Sequence, residues 1–437
     1  MKVLMLGWEF PPYISGGLGT ACYGLTRAMS QAGTEIVFVL PKPVQSEYSS
    51  HVKLASPIIT KQVGHQEAIP YSVLENVTFQ QINSILQPYQ TTHSYQAQRQ
   101  ETQNKPQVRV KTGHTKHTVN MGLSDNYGDN LYQEVYRYAQ LAAAVSQEEE
   151  FDVIHAHDWM TYLAGIAVAQ DSGKPLVTHI HSTEYDRSGT NPNSFVQDIE
   201  RLGMESADHV IAVSRLTRDI VVDQYGIAPD KVSVVYNAID QESGSMHAER
   251  SIGKGQEKMV LFLGRITMQK GPEYFLEAAK KVLDEMDDVK FVMAGSGDMT
   301  RRMIEKAAAM GIGHKVAFAG FLQGEDVNRI FRMADLFVMP SVSEPFGLVP
   351  LEALRNDVPV LISKQSGVAE VLTHALKVDF WDIHEMANKI LAVLRRPALR
   401  TTLRQHGSHE VKRFTWRDSA RQCHEIYQSL MPVGMSV

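Results

Sequence analysis

The sequence predicts an α/β protein built on two doubly wound parallel sheets, and three observations carry that expectation. The chain has 437 residues, more than one hydrophobic core usually supports, so two domains are expected. One unit opens twice: Lys2 to Leu6 is a short strand running into Gly7, a glycine-bearing loop and the helix-like Thr20 to Gln31, while Lys258 to Leu263 runs into Gly264, a loop and the helix-like Pro272 to Met286. Each is the first β-α step of a doubly wound sheet. The other strands are near-continuous apolar runs rather than alternating ones, which marks strands covered on both faces.

In chain order, the first half offers Glu35 to Leu40, Val153 to Ala156, Leu176 to Ile180, His209 to Val213 and Val232 to Val235, with helices between them. The second offers Lys290 to Ala294, Val316 to Ala319, Leu336 to Met339 and Val358 to Ile362. Gln241 to Gln256 is polar and rich in Gly and Ser, so it reads as the hinge between domains at 1–240 and 241–416. Ligands of such sheets bind beyond the carboxyl ends of the strands, so a cleft there is the expected site. Pro43 to Asn130 is too long for a plain connection and is loaded with Gln, Thr, His and Ser. It reads as an insertion, with possible added strands at Val52 to Ile59, Tyr71 to Phe79 and Val108 to Lys111. Of its histidines only His114 and His117 have ligand spacing, and in a Thr- and Gly-rich stretch that spacing is poor support for a metal.

Composition narrows the function classes. At 43% hydrophobic and 21% charged residues the chain is ordinary for a globular protein. A net charge of -6 with both signs spread along the chain implies no broad basic surface for nucleic acid, so any phosphate site is local. Cys22 and Cys423, the only cysteines, are too few for a disulfide framework or a thiolate metal site, which points to a reducing compartment. The apolar start Met1 to Gly7 reaches Glu9 before a signal-peptide core is complete, and no run approaches a spanning helix. A cytoplasmic protein is expected, with peripheral membrane contact left open and nothing said about oligomeric state.

Several segments carry chemistry. Glu344 and Glu352, in Ser343-Glu344-Pro345-Phe346-Gly347-Leu348-Val349-Pro350-Leu351-Glu352, are separated by seven residues around a helix start that Pro350 favours. Their carboxylates are expected on the order of 10 Å apart, far for a retaining glycosidase pair at about 5–5.5 Å. Two separated acceptors suit two sets of hydroxyls, with a diphosphate between them at the helix N-terminus. Gly264-Arg265-Ile266-Thr267-Met268-Gln269-Lys270-Gly271 delivers an Arg and a Lys above the second sheet. These are the cations a diphosphate leaving group needs. Charged hydrogen bonds contribute about 1.5–3 kcal/mol each, against about 0.3–1 kcal/mol for a helix terminus, so Arg265 and Lys270 should dominate.

Ser15-Gly16-Gly17-Leu18-Gly19-Thr20 lets backbone amides approach a phosphate or sugar closely. It is not a dinucleotide fingerprint, because Trp8-Glu9-Phe10-Pro11-Pro12 intervenes and no acid closes the second strand. His155-Ala156-His157-Asp158 and His179-Ile180-His181 sit at strand ends, where a histidine can serve a sugar hydroxyl or simply be a satisfied core residue. Gly295, Phe321 and Leu322 close two strands of the second sheet and leave room for a nucleotide, or are no more than turns.

Taken together these residues resemble a retaining glycosyltransferase of the GT-B fold, closest to glycosyltransferase family 4, with two Rossmann-like domains facing a cleft. The marks are Glu344 and Glu352 around Pro345-Phe346-Gly347-Leu348, the Gly264-Arg265 to Lys270-Gly271 loop, His181, and Phe414-Thr415-Trp416 before a last helix. The opening Gly7-Trp8-Glu9-Phe10-Pro11-Pro12 with Gly16-Gly17-Leu18 is similar to glycogen and starch synthases.

The resemblance implies that Arg265 and Lys270 bind the donor diphosphate and Glu352 the ribose. It gives Glu344 the donor sugar, with backbone contacts from Phe346, Gly347 and Leu348. It sets His181 beside the anomeric carbon, and Asp158 with Gly16 and Gly17 on the acceptor side. It further implies that no metal or other cofactor is required, that the leaving phosphate takes the acceptor proton on the same face, and that a last helix, about 417–437, returns to the first domain. Bacterial glycogen and starch synthases usually carry a Lys where this chain has Ile14, which weighs against α-glucan synthesis from ADP- or UDP-glucose. Outside the family, a nucleotide-sugar epimerase or a non-catalytic nucleotide-sugar-binding protein is the alternative.

Overall fold

The computed structural model describes residues 1–10, 17–41, 52–55, 77–81, 129–240 and 257–431. Its chain falls into two compact units, Met1–His179 with Asn193–Val210 and Glu425–Val437, and Ile180–Pro192 with Ile211–His424. The compact units therefore cut the chain elsewhere than at 240/241, and the hinge read at 241–256 lies outside the described residues. So do His114, His117 and the strand read at Val108 to Lys111.

The first sheet has eight strands: β1 (Lys2–Leu6), β2 (Glu35–Leu40), β3 (Val52–Ala55), β4 (Val77–Gln81), β5 (Val153–His157), β6 (Leu176–Ile180), β7 (His209–Ala212) and β8 (Val232–Val234). They run in the order β3-β4-β2-β1-β5-β6-β7-β8. β1 lies parallel between β2 and β5, with Val3 opposite Ile36 on one side and Val153 on the other. Val3, Leu4, Met5 and Leu6 are fully buried, which is why this strand reads as a continuous apolar run. The helix after it, Gly17–Gln31, starts three residues before Thr20, and the Glu9 carboxylate accepts the Gly19 amide at 3.3 Å, satisfying a donor left over at the helix start.

The second sheet has six strands: β9 (Lys258–Leu263), β10 (Val289–Ala294), β11 (Val316–Gly320), β12 (Leu336–Met339), β13 (Val360–Ser363) and β14 (Leu376–Val378). They run parallel in the order β11-β10-β9-β12-β13-β14. The chain moves outward from β9 to β11 and then returns to the other side of β9 at β12. That reversal makes the carboxyl ends of β9 and β12 the topological switch point, where loops part and ligands of such sheets bind. Beneath it Phe275, from the helix Pro272–Leu283, meets Phe291 of β10 edge-on at 5.6 Å, both fully buried. Each such ring contributes roughly 1.5–3 kcal/mol by leaving water. β14 was not anticipated, because three residues with a central Lys377 carry no readable period. Cys22 and Cys423 are both buried and unbonded. Among the described residues no helix is long and apolar enough to cross a membrane.

Candidate active site

Three loops meet at the switch point of the second sheet. Gly264 follows β9, and from there Ile266 donates its amide to the Ser296 carbonyl at 2.9 Å while its own carbonyl accepts the Met299 amide at 3.1 Å. Gly295 follows β10 with φ +135°, donating its amide to the Gly320 carbonyl at 2.7 Å, and a Cβ added there would lie 1.8 Å from the Gly264 oxygen. The backbones approach so closely that no side chain fits. Gly295→Ala should therefore lower the thermal midpoint, with strain of about 1–3 kcal/mol. A thermal midpoint equal to wild type would show that this approach is not required.

Lys270 ends a short 3-10 turn, Met268–Lys270, closed by Gly271 at φ +66°. A Cβ on Gly271 would meet the Pro340 carbonyl at 2.1 Å, so the turn is seated directly on the end of β12. From there the Lys270 Nζ reaches the Glu344 Oε2 at 2.6 Å, and the Ser341 hydroxyl donates to the same oxygen at 3.3 Å. The side chains are 19% and 11% exposed, so this is a half-sheltered pair and not a surface ion pair. Arg265 donates from Nη2 to the Gln269 Oε1 at 3.3 Å, and the Gln269 carbonyl accepts the Val342 amide at 2.9 Å. Buried Gln269 thus ties the cation loop to the turn that precedes Glu344.

Glu344 is held by its backbone as well. Its amide donates to the Gln365 carbonyl at 3.0 Å and its carbonyl accepts the Gly367 amide at 2.9 Å, a two-residue bridge between parallel segments. Gly347, at φ 105°, opens the helix Leu348–Arg355 with no side-chain cap. A Cβ there would stand 3.2 Å from the Glu344 Cγ. The first amides of that helix consequently carry their partial positive charge uncapped.

Phe346 and Leu348 are buried, Phe346 against Tyr236 at 6.0 Å between ring centroids, so only their backbones can face a ligand. Glu352 lies within the same helix, and burial raises its carboxyl pKa above the ordinary value while nearby Arg355 opposes the rise. Phe321 is 57% exposed after β11, and Leu322 beside it is half-buried.

His181 directly follows β6 and belongs to the second unit. The residue is partly covered as a whole, but its Nδ1 is shut off from solvent, and burial lowers the imidazole pKa to about 3. Two residues on, Thr183 caps the helix Glu184–Ser188 in a reciprocal box with Asp186. The other oxygen of Asp186 accepts the Ser343 hydroxyl at 2.5 Å. Of the residues singled out from sequence, the structure connects Arg265, Lys270 and Glu344 through the interlocked loops, and joins the His181 segment to the Ser343-Glu344 turn. His155, His157 and His179 belong to the first unit.

Those three histidines are buried together in the first unit. The His155 Nε2 lies 3.1 Å from the His179 Nδ1, and the His155 Nδ1 meets the Tyr427 hydroxyl. One ligand atom from each lies within 4.8 Å of the others, a spacing that admits a divalent ion. Both nitrogens of His155 are engaged within the protein, however, and the group contains no carboxylate. His155 is thus a satisfied core histidine.

Asp158 sits just after β5 with φ 60°, an unusual backbone for a non-glycine residue, and its amide donates to the His179 carbonyl at 3.0 Å. Strain of this kind collects at functional sites. Gly17 opens its helix exposed, and Gly16 lies outside the described residues.

Comparison with known proteins adds to this geometry. Residues 247–410 match the family model "Glycosyl transferases group 1", and residues 92–243 match "Glycosyltransferase Family 4". An uncharacterized glycosyltransferase of Methanocaldococcus jannaschii is 28% identical, covering 99% of each chain. A glycogen synthase of Mycobacterium tuberculosis is 25% identical over 98% of this chain and 94% of its own. Among solved structures, a sucrose-phosphate synthase from Thermosynechococcus elongatus matches with a TM-score of 0.71 at 18% identity, over 98% of both chains. HepE from Anabaena, in complex with UDP and glucose, matches with a TM-score of 0.68 at 17% identity, over 98% of this chain and all of its own. Two successive family models, relatives matched along nearly the whole chain and a shared two-sheet architecture agree: the chain belongs to the group 1/family 4 glycosyltransferases of the GT-B fold.

Proposed function

We propose that this glycosyltransferase moves a hexose from a nucleotide-diphosphate sugar to a hydroxyl acceptor, with retention of configuration and with protein cations rather than a metal at the diphosphate. The observation that carries the reading is the half-sheltered Lys270–Glu344 pair with Arg265 on the same loop, at the switch point of the second sheet. A diphosphate competes with Glu344 for the Lys270 ammonium. Once displaced, the Glu344 carboxylate can accept hydroxyls of the donor sugar, so the two halves of the pair serve the two parts of one ligand. Arg265 and the uncapped start of the helix Leu348–Arg355 add positive charge where the leaving group gains negative charge. Glu352 takes the ribose hydroxyls, and the backbone at Gly295, Phe321 and Leu322 lines the nucleotide.

The front-face step itself needs no protein base. The donor phosphate oxygen takes the acceptor proton as the C1–O bond to phosphate breaks and the acceptor oxygen bonds to the same face of C1. His181, held neutral by burial, can give or accept a hydrogen bond beside that carbon without carrying charge of its own. We assign donor binding to the 241–416 domain and acceptor binding to the 1–240 domain, with Gly16, Gly17 and Asp158 on the acceptor side.

The test is incubation with UDP-, ADP- and GDP-hexoses and a set of hydroxyl acceptors, with the anomeric configuration of the product read by NMR. Donor-dependent product with retained configuration supports the proposal. An inverted product removes the front-face mechanism, and donor consumption without any acceptor points to an epimerase. The full-length similarity to a glycogen synthase favours α-glucan as one acceptor to try, against the missing cation at Ile14.

The pH dependence follows from two shifts. A raised Glu352 pKa means the free protein protonates this carboxyl at a higher pH than an ordinary glutamate. Donor affinity should therefore fall as pH drops through that raised value, and Glu352→Gln should remove this part of the dependence. For His181 the folded pKa, about 3, lies below the unfolded value near 6.5, so the unfolded chain binds more protons between them. Stability is lost as pH falls through that window, and His181→Asn should reduce the loss. Equal acid sensitivity of wild type and variant would contradict the buried, neutral histidine.

A further inference from the structure

We infer that Asp186 is a positioning residue that sets His181 and Glu344 at their working separation by gripping Ser343, an inference that rests on the transfer reaction proposed above. The turn carrying Glu344 is fixed by several neighbours. Gln269 accepts the Val342 amide, Gln365 accepts the Glu344 amide, and the Thr217 hydroxyl donates to the Pro345 carbonyl at 3.3 Å. All of these involve backbone of the turn. The Ser343 hydroxyl instead meets an ionisable side chain, the Asp186 carboxyl, at 2.5 Å.

Asp186 is buried, and its other oxygen accepts both the amide of Thr183 at 2.8 Å and its hydroxyl at 2.7 Å. The Thr183 hydroxyl in turn receives the Asp186 amide at 3.3 Å. One carboxyl therefore joins two segments. One is the strand exit Ile180-His181-Ser182-Thr183, whose second residue is His181. The other is Ser343, next to Glu344. Hydrogen bonds to an ionised acceptor are short and strong, and a carboxylate held by its own capping box cannot swing with its partner.

A residue placed in this way should act on turnover rather than on nucleotide affinity. The cations that hold the diphosphate keep backbone anchors that loss of the Ser343 hydroxyl leaves in place, Gly271 on Pro340 and Gln269 on Val342. Displacing one reacting group by a fraction of an ångström to an ångström is enough to slow a reaction on the order of 10- to 100-fold. Ser343→Ala removes only the bond between segments and leaves the Thr183–Asp186 box intact. Asp186→Asn tests the other end.

The experiment measures kcat and KM for the nucleotide sugar, together with UDP, ADP and GDP binding by calorimetry. The proteins are wild type, Ser343→Ala, Asp186→Asn, the double variant and Ser343→Thr. Expected are a fall in kcat on the order of 10-fold in each single variant, nucleoside-diphosphate affinity within about 2-fold of wild type, a double variant no slower than the worse single one, and recovery in Ser343→Thr. Wild-type kcat in Ser343→Ala, or losses that multiply in the double variant, would overturn the inference while leaving the transfer reaction standing. A loss matched by an equal loss of nucleotide affinity would also overturn it. Absence of transfer by the wild-type protein would instead remove the reaction on which the inference rests.

Discussion

Lys270→Ala should weaken nucleoside-diphosphate binding by about 10- to 150-fold, the equivalent of one charged hydrogen bond of about 1.5–3 kcal/mol. The expectation comes from the way Lys270 is presented. Gly271 seats the turn on the Pro340 carbonyl, so the ammonium is delivered beside the carboxyl end of β12 rather than left on a mobile side chain in water. Arg265→Ala should lose a similar amount, because Gln269 orients its guanidinium through a buried amide. Lys270→Arg should not restore affinity, since a planar fork does not fit the space of a compact ammonium. Removing Lys270 also strips Glu344 of its partner, so thermal unfolding has to be measured beside calorimetry. Affinity within 2-fold of wild type in both alanine variants would remove these residues from the diphosphate site.

Glu344→Gln should separate binding from chemistry. Transfer should fall on the order of 100-fold, comparable to the loss of one preorganised group at a reacting centre. Nucleoside-diphosphate affinity should hold or rise, because the carboxylate that competes for Lys270 at 2.6 Å has gone. The glutamine keeps the shape of the side chain and leaves the bridge between Glu344 and Ser366, made by backbone, undisturbed. Initial rates and calorimetry on the same preparation check both halves. Wild-type turnover would show that Glu344 is a structural partner of Lys270 and nothing more, and a parallel fall in affinity and rate would place its role in holding the diphosphate.

The fold was legible because its strands are covered on both faces. β1, β2, β6, β9 and β12 appear at the residues read from their apolar runs. β14 was not, since three residues around Lys377 lack a pattern. The candidate site was legible only where a charged residue follows a strand, as with Arg265, Lys270 and Glu344, which the structure connects. Gln269, Ser343 and Asp186 escaped notice because their importance lies in what they touch across 73, 157 and 157 residues of sequence, as the Gln269–Val342 and Ser343–Asp186 contacts show. A buried glutamine and a surface glutamine look alike in a sequence. The histidines illustrate the converse: His155, His157, His179 and His181 look alike as strand-end residues, yet it is the segment of His181 that Asp186 ties to Ser343.

A crystal structure with UDP, ADP or GDP bound tests the assignment of the second unit most directly. The diphosphate is expected within hydrogen-bonding distance of the Lys270 ammonium and the Arg265 guanidinium, with the ribose hydroxyls on Glu352 and Glu344 released toward the position of the sugar. A diphosphate lodged away from Lys270 and Arg265, with the Lys270–Glu344 pair undisturbed, would contradict it.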